Sequence, residues 1–316
     1  MRTSLPGQVW RLRVALCAVV VTASALRSTA QELVPRAYVI TPIHSNAIIL
    51  TNSFFTGSVN LNGSVPITGA TGKYDISILS YYYSLSFFGR SANITGSLPY
   101  GVGTFEGNVL GTQKSAYRSG LLDFTVRFSV NLIGGPAMRL DNFAKWRQKT
   151  LLGISIKVLA PTGQYNSTKL VNWGLNRWAF KPELGYSHRW QKWILDGYAG
   201  AWFYTTNPAF AALTVTKPQE QAPIASFESH LSRNFGNPRF WASLDGNFWV
   251  GGTTTLGRIT NPDTRQTSSR LGATLSVPVT KRQSFKVAYS RGTYVRFGGN
   301  YQNVQVAWQY AWGGHR

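Results

Sequence analysis

Four histidines could hold a metal or move protons: His44, His188, His230 and His315. A zinc site needs three or four ligands brought together, usually at short fixed spacing. These four are scattered, and none has a second His four residues on. The pattern implies no dedicated metal and no cofactor, although loop Asp, Asn and carbonyl groups leave calcium open. Serine hydrolysis needs a Ser with a His and a carboxylate. Ser187, His188 and Glu183 are close in sequence, but successive residues of a strand point to opposite faces. Glu183 and Ser187 therefore share one face and His188 takes the other. His230 and Ser232 do share a face. Such a pair on a lipid-facing wall would suit a barrel lipase, but the plainer reading is an ordinary wall histidine. No catalytic, cofactor-binding or metal residues are assigned, and the chain reads as no enzyme. Gly101, Gly103 and Gly107 do not have dinucleotide-loop spacing and precede no helix signal. They read as an external loop.

The remaining polar candidates sit on alternating segments. From Asp123 to Leu132, Phe124, Val126, Phe128, Val130 and Leu132 fall on one face, and Asp123, Thr125, Arg127, Ser129 and Asn131 on the other. That period of two is a strand's. The same alternation runs through Leu152–Val158, Phe285–Tyr289 and Val304–Trp312. If the apolar face meets lipid, the polar face lines a lumen. Asp123, Arg127, Lys157, Asp196, Asp245 and Lys286 then become candidate lumen residues, where charge sets solute preference. The plainer alternative is that they pair with one another in a filled interior.

Marking such segments gives about twelve strands, near 46–57, 74–83, 86–98, 120–133, 148–160, 176–189, 192–206, 222–235, 238–252, 267–279, 282–296 and 301–312. Short links at Ser84, Gln191, Gly236-Asn237 and Thr280-Lys281 alternate with long ones rich in Pro, Gly and Asn. Short turns on one side and long loops on the other define an all-β, transmembrane, up-and-down antiparallel β-barrel. The even strand count places both termini on the periplasmic side. One long link, Gly134 to Arg147, falls on the short-turn side. With Met138, Phe143 and Trp146, it reads as a cap on that end or, less favourably, a plug. Trp173, Trp178, Trp190, Trp193, Trp202, Trp241, Trp249, Trp308 and Trp312 fall near strand ends, as interfacial girdles do. A secreted β-sandwich also alternates, but the aromatic and basic excess argues against it.

Charged residues are 14% of the chain and the formal charge is +21, against roughly 25% charged in ordinary globular domains. Arg2, Arg11 and Arg13, the apolar run Val14–Leu26 and the small residues Ser28-Thr29-Ala30 read as a secretory signal over 1–30, leaving the barrel over 31–316. The run is too short to span a membrane as a helix. Cys17 lies inside it, so the exported chain would carry no cysteine. Export argues against nucleic acid as the partner of the basic excess. It leaves anionic outer-membrane lipid and lipopolysaccharide, or an anion-attracting lumen. The stripe Trp308, Tyr310, Trp312 suits recognition by barrel-insertion machinery.

Several stretches together carry a family likeness: Pro42 with Ser45-Asn46-Ala47, Phe88 to Asn93, Leu98 to Tyr100, Asn131 to Ala137, Pro161 to Tyr165, Leu170 to Tyr186, Arg270 to Gly272 and Trp308 to Trp312. Over about residues 38–312 the chain resembles the MetA-pathway phenol-degradation family of bacterial outer-membrane barrels. The resemblance implies an outer-membrane channel that takes up or releases small organic compounds, aromatic ones among them. The runner-up is a non-transporting barrel that holds the envelope together. The family brings no agreed catalytic residues. Its densest block draws attention to Asn172 and Asn176 at a loop and strand start. Arg177 and Glu183 share a parity, so both could face the lumen and interact.

Overall fold

The computed structural model describes residues 33–60, 67–109, 111–169, 171–210 and 217–313. The signal reading over 1–30 and Cys17 lie outside them. The strands are β1 (Ser45–Asn60), β2 (Ile67–Phe87), β3 (Arg90–Val109), β4 (Thr112–Leu121) and β5 (Thr125–Ile133). A short helix α1 (Leu140–Lys145) follows, then β6 (Thr150–Leu159), β7 (Ala179–Trp190) and β8 (Trp193–Tyr204). Next come β9 (Asn207–Phe210), β10 (Lys217–Gln221), β11 (Ile224–Phe235) and β12 (Asn237–Gly251). The chain ends with β13 (Thr254–Leu256), β14 (Ile259–Asn261), β15 (Gln266–Pro278), β16 (Gln283–Val295) and β17 (Gly298–Gly313).

Every neighbour in the main sheet is antiparallel, and β17 pairs back onto β1 from Ser45↔Gly313 to Asn60↔Gly298. The sheet therefore closes into a twelve-stave barrel. β4 and β5 form one stave, interrupted at Leu122–Phe124: β4 pairs with the upper part of β3 and β5 with its lower part. Closure satisfies the backbone groups that an open edge would strand in lipid. The alternation decides which side faces out. Ile48, Leu50, Phe54, Ile154, Ile156, Phe285 and Val287 are exposed, each about 40–50%. An apolar belt this continuous is placed in lipid rather than water. The fold is thus that of an outer-membrane β-barrel, and the membrane is where such a surface is stable.

Three loop expectations are corrected. Pro99 to Gly107 is not a loop. It is the upper half of β3, which turns tightly into β4 and rises as a hairpin. Twenty residues at about 3.3 Å each exceed what a membrane crossing needs. Glycine there answers a packing demand. A Cβ on Gly101 would lie 2.9 Å from the Trp173 ring, and one on Gly103 would lie 2.3 Å from Tyr74 Cβ. The two loops after β8 and β12 hold strands of their own. β9, β10, β13 and β14 form a separate four-stranded sheet at the loop end. The tryptophan girdle holds for Trp178, Trp190 and Trp193, which are exposed. Trp202, Trp241 and Trp249 are buried instead, because their parity points them into the lumen. Trp173 is buried as well, inside the loop between β6 and β7.

Candidate functional site

The barrel lumen is filled from the end that carries the termini by the segment before β1. Arg36, Ala37 and Tyr38 press against the wall formed by β6, β7, β8 and β11. Arg36 sits in the left-handed region at φ 63°, a conformation that its surroundings must hold in place. Its guanidinium donates to Ser232 Oγ (3.0 Å), Asn234 Oδ1 (2.5 Å) and the Pro238 carbonyl (3.3 Å). Its backbone N–H donates to Asp196 Oδ2 at 3.3 Å, and the Ala37 N–H donates to Tyr198 Oη at 3.0 Å. Tyr38 lies over Gly153 and Gly185, which face each other across β6 and β7. A Cβ on Gly185 would fall 2.0 Å from the Tyr38 ring, so glycine makes the seat. The Tyr38 hydroxyl reaches Ser155 Oγ and Glu183 Oε1, both at 3.0 Å. Burial and the Glu183 carboxylate push this phenol up to about 12, and burial brings Arg36 down to about 10. At neutral pH Tyr38 therefore stays a donor and Arg36 a cation.

Behind this segment runs a belt of buried charge. Arg127 meets Glu183 at 3.6 Å, and Lys181 meets Glu183 at 2.7 Å and Glu228 at 3.1 Å. His230 contacts Glu228 at 3.6 Å and Asp245 at 2.8 Å. Ser243 and Thr274 donate to Asp245 at 2.8 and 2.7 Å. Removing one member would strand another charge away from water. Of the belt, Arg127, Glu183 and Asp245 are among the lumen residues expected from the sequence, and Asp196 adjoins it. Lys181, Glu228, Arg36 and Tyr38 are not. The first two share the parity of Glu183 and His230, a signal that was present. His230 and Ser232 face the lumen rather than lipid, and Ser232 accepts from Arg36.

The opposite side of the lumen is open. A cavity of about 1650 Å³ extends from Leu140, Phe143 and Trp312 at the terminal end to Phe55, Tyr74, Phe105 and Trp173. Its wall on β1 and β2 is largely apolar: Ile49, Ile76 and Ile78 line it. The lumen is thus two-sided, where strand alternation alone suggested a polar lining throughout. The cavity stops against a layer of packed aromatic rings, some stacked and some edge-on. Phe55 and Tyr74 lie 4.7 Å apart between ring centroids, Tyr74 and Tyr301 5.1 Å, and Phe105 and Trp173 6.0 Å. Beyond them Val59, Phe297 and Tyr301 form a buried cluster.

The other expected residues are placed as follows. Asp123 is a tether: its two oxygens accept the backbone N–H of Gly163 (2.9 Å) and Leu175 (2.7 Å). It thereby pins the β6–β7 loop that carries Trp173. Lys157 and Lys286 line the cavity. Arg177 and Glu183 do not meet. Arg177 precedes β7, donates to Gln221 and lies 4.6 Å from the Tyr204 ring, while Glu183 engages Lys181. Asn172 closes its own loop through Asn166 and Lys169, and Asn176 (φ 54°) donates to Asn207 Oδ1 at 2.8 Å. The Met138 carbonyl accepts from Ile43 N–H at 2.8 Å, and Phe143 stacks on Trp146 with centroids 6.2 Å apart. The segment from Gly134 to Lys149 thus lies at the cavity mouth, and the segment inside the barrel is the one before β1.

A closed twelve-stave barrel with an apolar belt and a lumen cavity defines an outer-membrane β-barrel built from one chain. The particular family follows from the sequence match. The chain belongs to the family described as "Putative MetA-pathway of phenol degradation", whose model matches residues 56–307. Among solved structures, the COG4313 outer membrane channel from Pseudomonas putida F1 superposes with a TM-score of 0.73 at 18% identity, covering 89% of this chain and 100% of that one. The β domain of the Bordetella autotransporter BrkA gives a TM-score of 0.49 at 10% identity, covering 85% and 100%. A Pseudomonas aeruginosa FadL homologue gives 0.41 at 11%, covering 96% and 98%. No curated protein sequence matches the chain.

Proposed function

We propose that the protein is an outer-membrane channel that passes small organic compounds, with apolar or aromatic solutes preferred. The observation that carries this is the 1650 Å³ lumen cavity, lined on one side by Ile49, Ile76 and Ile78 and ending at Phe105 and Trp173. A wall of this composition removes apolar surface from water at roughly 25 cal/mol per Å². The family's link to phenol degradation supports the same class of solute. In this reading residues 1–30 are a cleaved export signal, the Trp308–Trp312 stripe engages the insertion machinery, and the cationic surface meets lipid and lipopolysaccharide. The engagement of His230 with Asp245, and of Ser232 with Arg36, supports a structural rather than a hydrolytic role for that pair.

The test is entry of radiolabelled phenol or an alkylbenzene into cells that carry or lack the gene, at limiting solute. Faster uptake with the gene is the expected result. Equal uptake, together with no ion or solute passage by the purified barrel in liposomes, would overturn the reading.

A further inference from the structure

The cavity is unequal in charge as well as in polarity. Arg36, Arg127, Lys157 and Lys286 line it, joined at the mouth by Arg239, Lys281 and Arg282. Among the described residues only one acid, Asp123, shares that lining, and both its oxygens already accept backbone N–H groups. The remaining lumen acids, Glu183, Asp196, Glu228 and Asp245, turn away from the open space into the wall behind Arg36 and Tyr38. A solute in the cavity therefore meets more cations than acids.

Two of those cations lie near one ring. Arg36 Cζ lies 4.3 Å and Lys286 Nζ 5.9 Å from the Trp241 ring centroid. Arg36 is anchored by Ser232, Asn234 and Pro238. The Lys286 ammonium has no hydrogen-bond or ion-pair partner among the described residues. A cation held beside an apolar wall loses hydration, and a matching anion offsets that loss. The strand register fixes where the rest of a ligand would lie. Lys286 pairs with Ala307, Ala307 with Thr51, and Thr51 with Ile78. Two strand steps, through β17, thus separate Lys286 from β1, and three separate it from β2. From Thr51 to Phe55 is four residues along β1, about 13 Å at the usual rise.

We propose that the cavity takes an amphipathic organic anion, an alkyl or aryl carboxylate, with its head group between Lys286 and Arg36 and its tail along Ile49, Ile78 and the Phe55–Tyr74–Phe105 rings. This rests on the channel reading and adds to it the charge class of the solute. The test compares three probes of one shape, para-butylbenzoate, para-butylbenzyl alcohol and para-butylbenzylammonium. Each is titrated onto the full chain in lipid nanodiscs, with empty nanodiscs as blank. The benzoate should bind about tenfold tighter than the alcohol, as one charge-assisted contact provides, and the ammonium most weakly. Lys286→Met should lower benzoate affinity to the level of the alcohol, and Lys286→Arg should keep the preference. Heat-modifiable migration shows that each variant is a folded barrel. If benzoate and alcohol bind equally, or Lys286→Met keeps the preference, this inference fails and the channel reading stands. If none of the three binds, the channel reading fails with it.

Discussion

Single side chains in this barrel act by fixing segments that the sheet itself does not hold. Asp123 interrupts the β4–β5 stave and spends both oxygens on the β6–β7 loop. Hydrogen bonds to a charged group contribute roughly 1.5–3 kcal/mol each. Asp123→Ala should therefore cost about 3 kcal/mol locally, lower the temperature at which the folded band is lost on unheated gels, and expose the loop over residues 160–178 to protease. Asp123→Asn, which keeps one acceptor oxygen, should fall between. Protease resistance equal to wild type in the Ala variant would show that the loop is held by Trp173 packing instead. Gly185 acts in the opposite sense, by leaving room. A Leu there would occupy the Tyr38 ring position, since even its Cβ would lie 2.0 Å away. Overpacking of this kind costs roughly 1–3 kcal/mol, and the segment before β1 is the part able to move. Gly185→Leu should keep a folded barrel and raise single-channel conductance in planar bilayers. Unchanged conductance would mean that Tyr38 is accommodated elsewhere in the lumen.

At the scale of elements, the segment over residues 33–44 occupies the space that a twelve-stave barrel would otherwise leave open. Its hold is a set of side-chain contacts, including Arg36 to Ser232, Asn234 and Asp196, Ala37 to Tyr198 and Tyr38 to Ser155. No ladder of strand hydrogen bonds fixes it. Deleting residues 33–41 should leave the barrel heat-modifiable and increase its conductance several-fold. A deletion variant with wild-type conductance would place the constriction at the aromatic layer of Phe55, Tyr74 and Trp173. The same contrast explains what the sequence made legible. The staves could be read because lipid on one side and lumen on the other impose a period of two, and Asp123–Leu132 or Phe285–Tyr289 carry it undisturbed. The segment before β1 carries no period, and its hydrogen-bond partners come from seven separate strands, so nothing local announces it. The β3–β4 hairpin was hidden because Pro99, Gly101 and Gly103 are turn formers by type. Their reason for being there, clearance for Trp173 and Tyr74, exists only after folding. For the site, parity sufficed to place Arg127 and Lys286 in the lumen. It could not show that Arg177 precedes β7 and so escapes the alternation that would pair it with Glu183.

The whole molecule carries a formal charge of +21, and its distribution matters more than its size. Inside, the belt acids Glu183, Glu228 and Asp245 and the adjoining Asp196 turn into the wall, so the open half of the lumen presents Arg36, Arg127, Lys157 and Lys286. At the mouth, Arg239, Lys281 and Arg282 continue the same sign, with Arg239 donating to the Lys281 carbonyl at 2.7 Å and so keeping that turn compact. Low-dielectric walls focus such a field along the axis. The barrel in a planar bilayer under a KCl gradient should accordingly show a reversal potential of the anion-selective sign. Mouth charges are exposed and screened over about 10 Å at 0.1 M salt, whereas lumen charges are screened much less. Neutralising Arg239, Lys281 and Arg282 together should weaken selectivity at low salt and change little near 1 M. Lys286→Met should weaken it at both. A cation-selective wild-type barrel would show that the belt acids, rather than Lys286 and Arg36, set the potential that a solute meets.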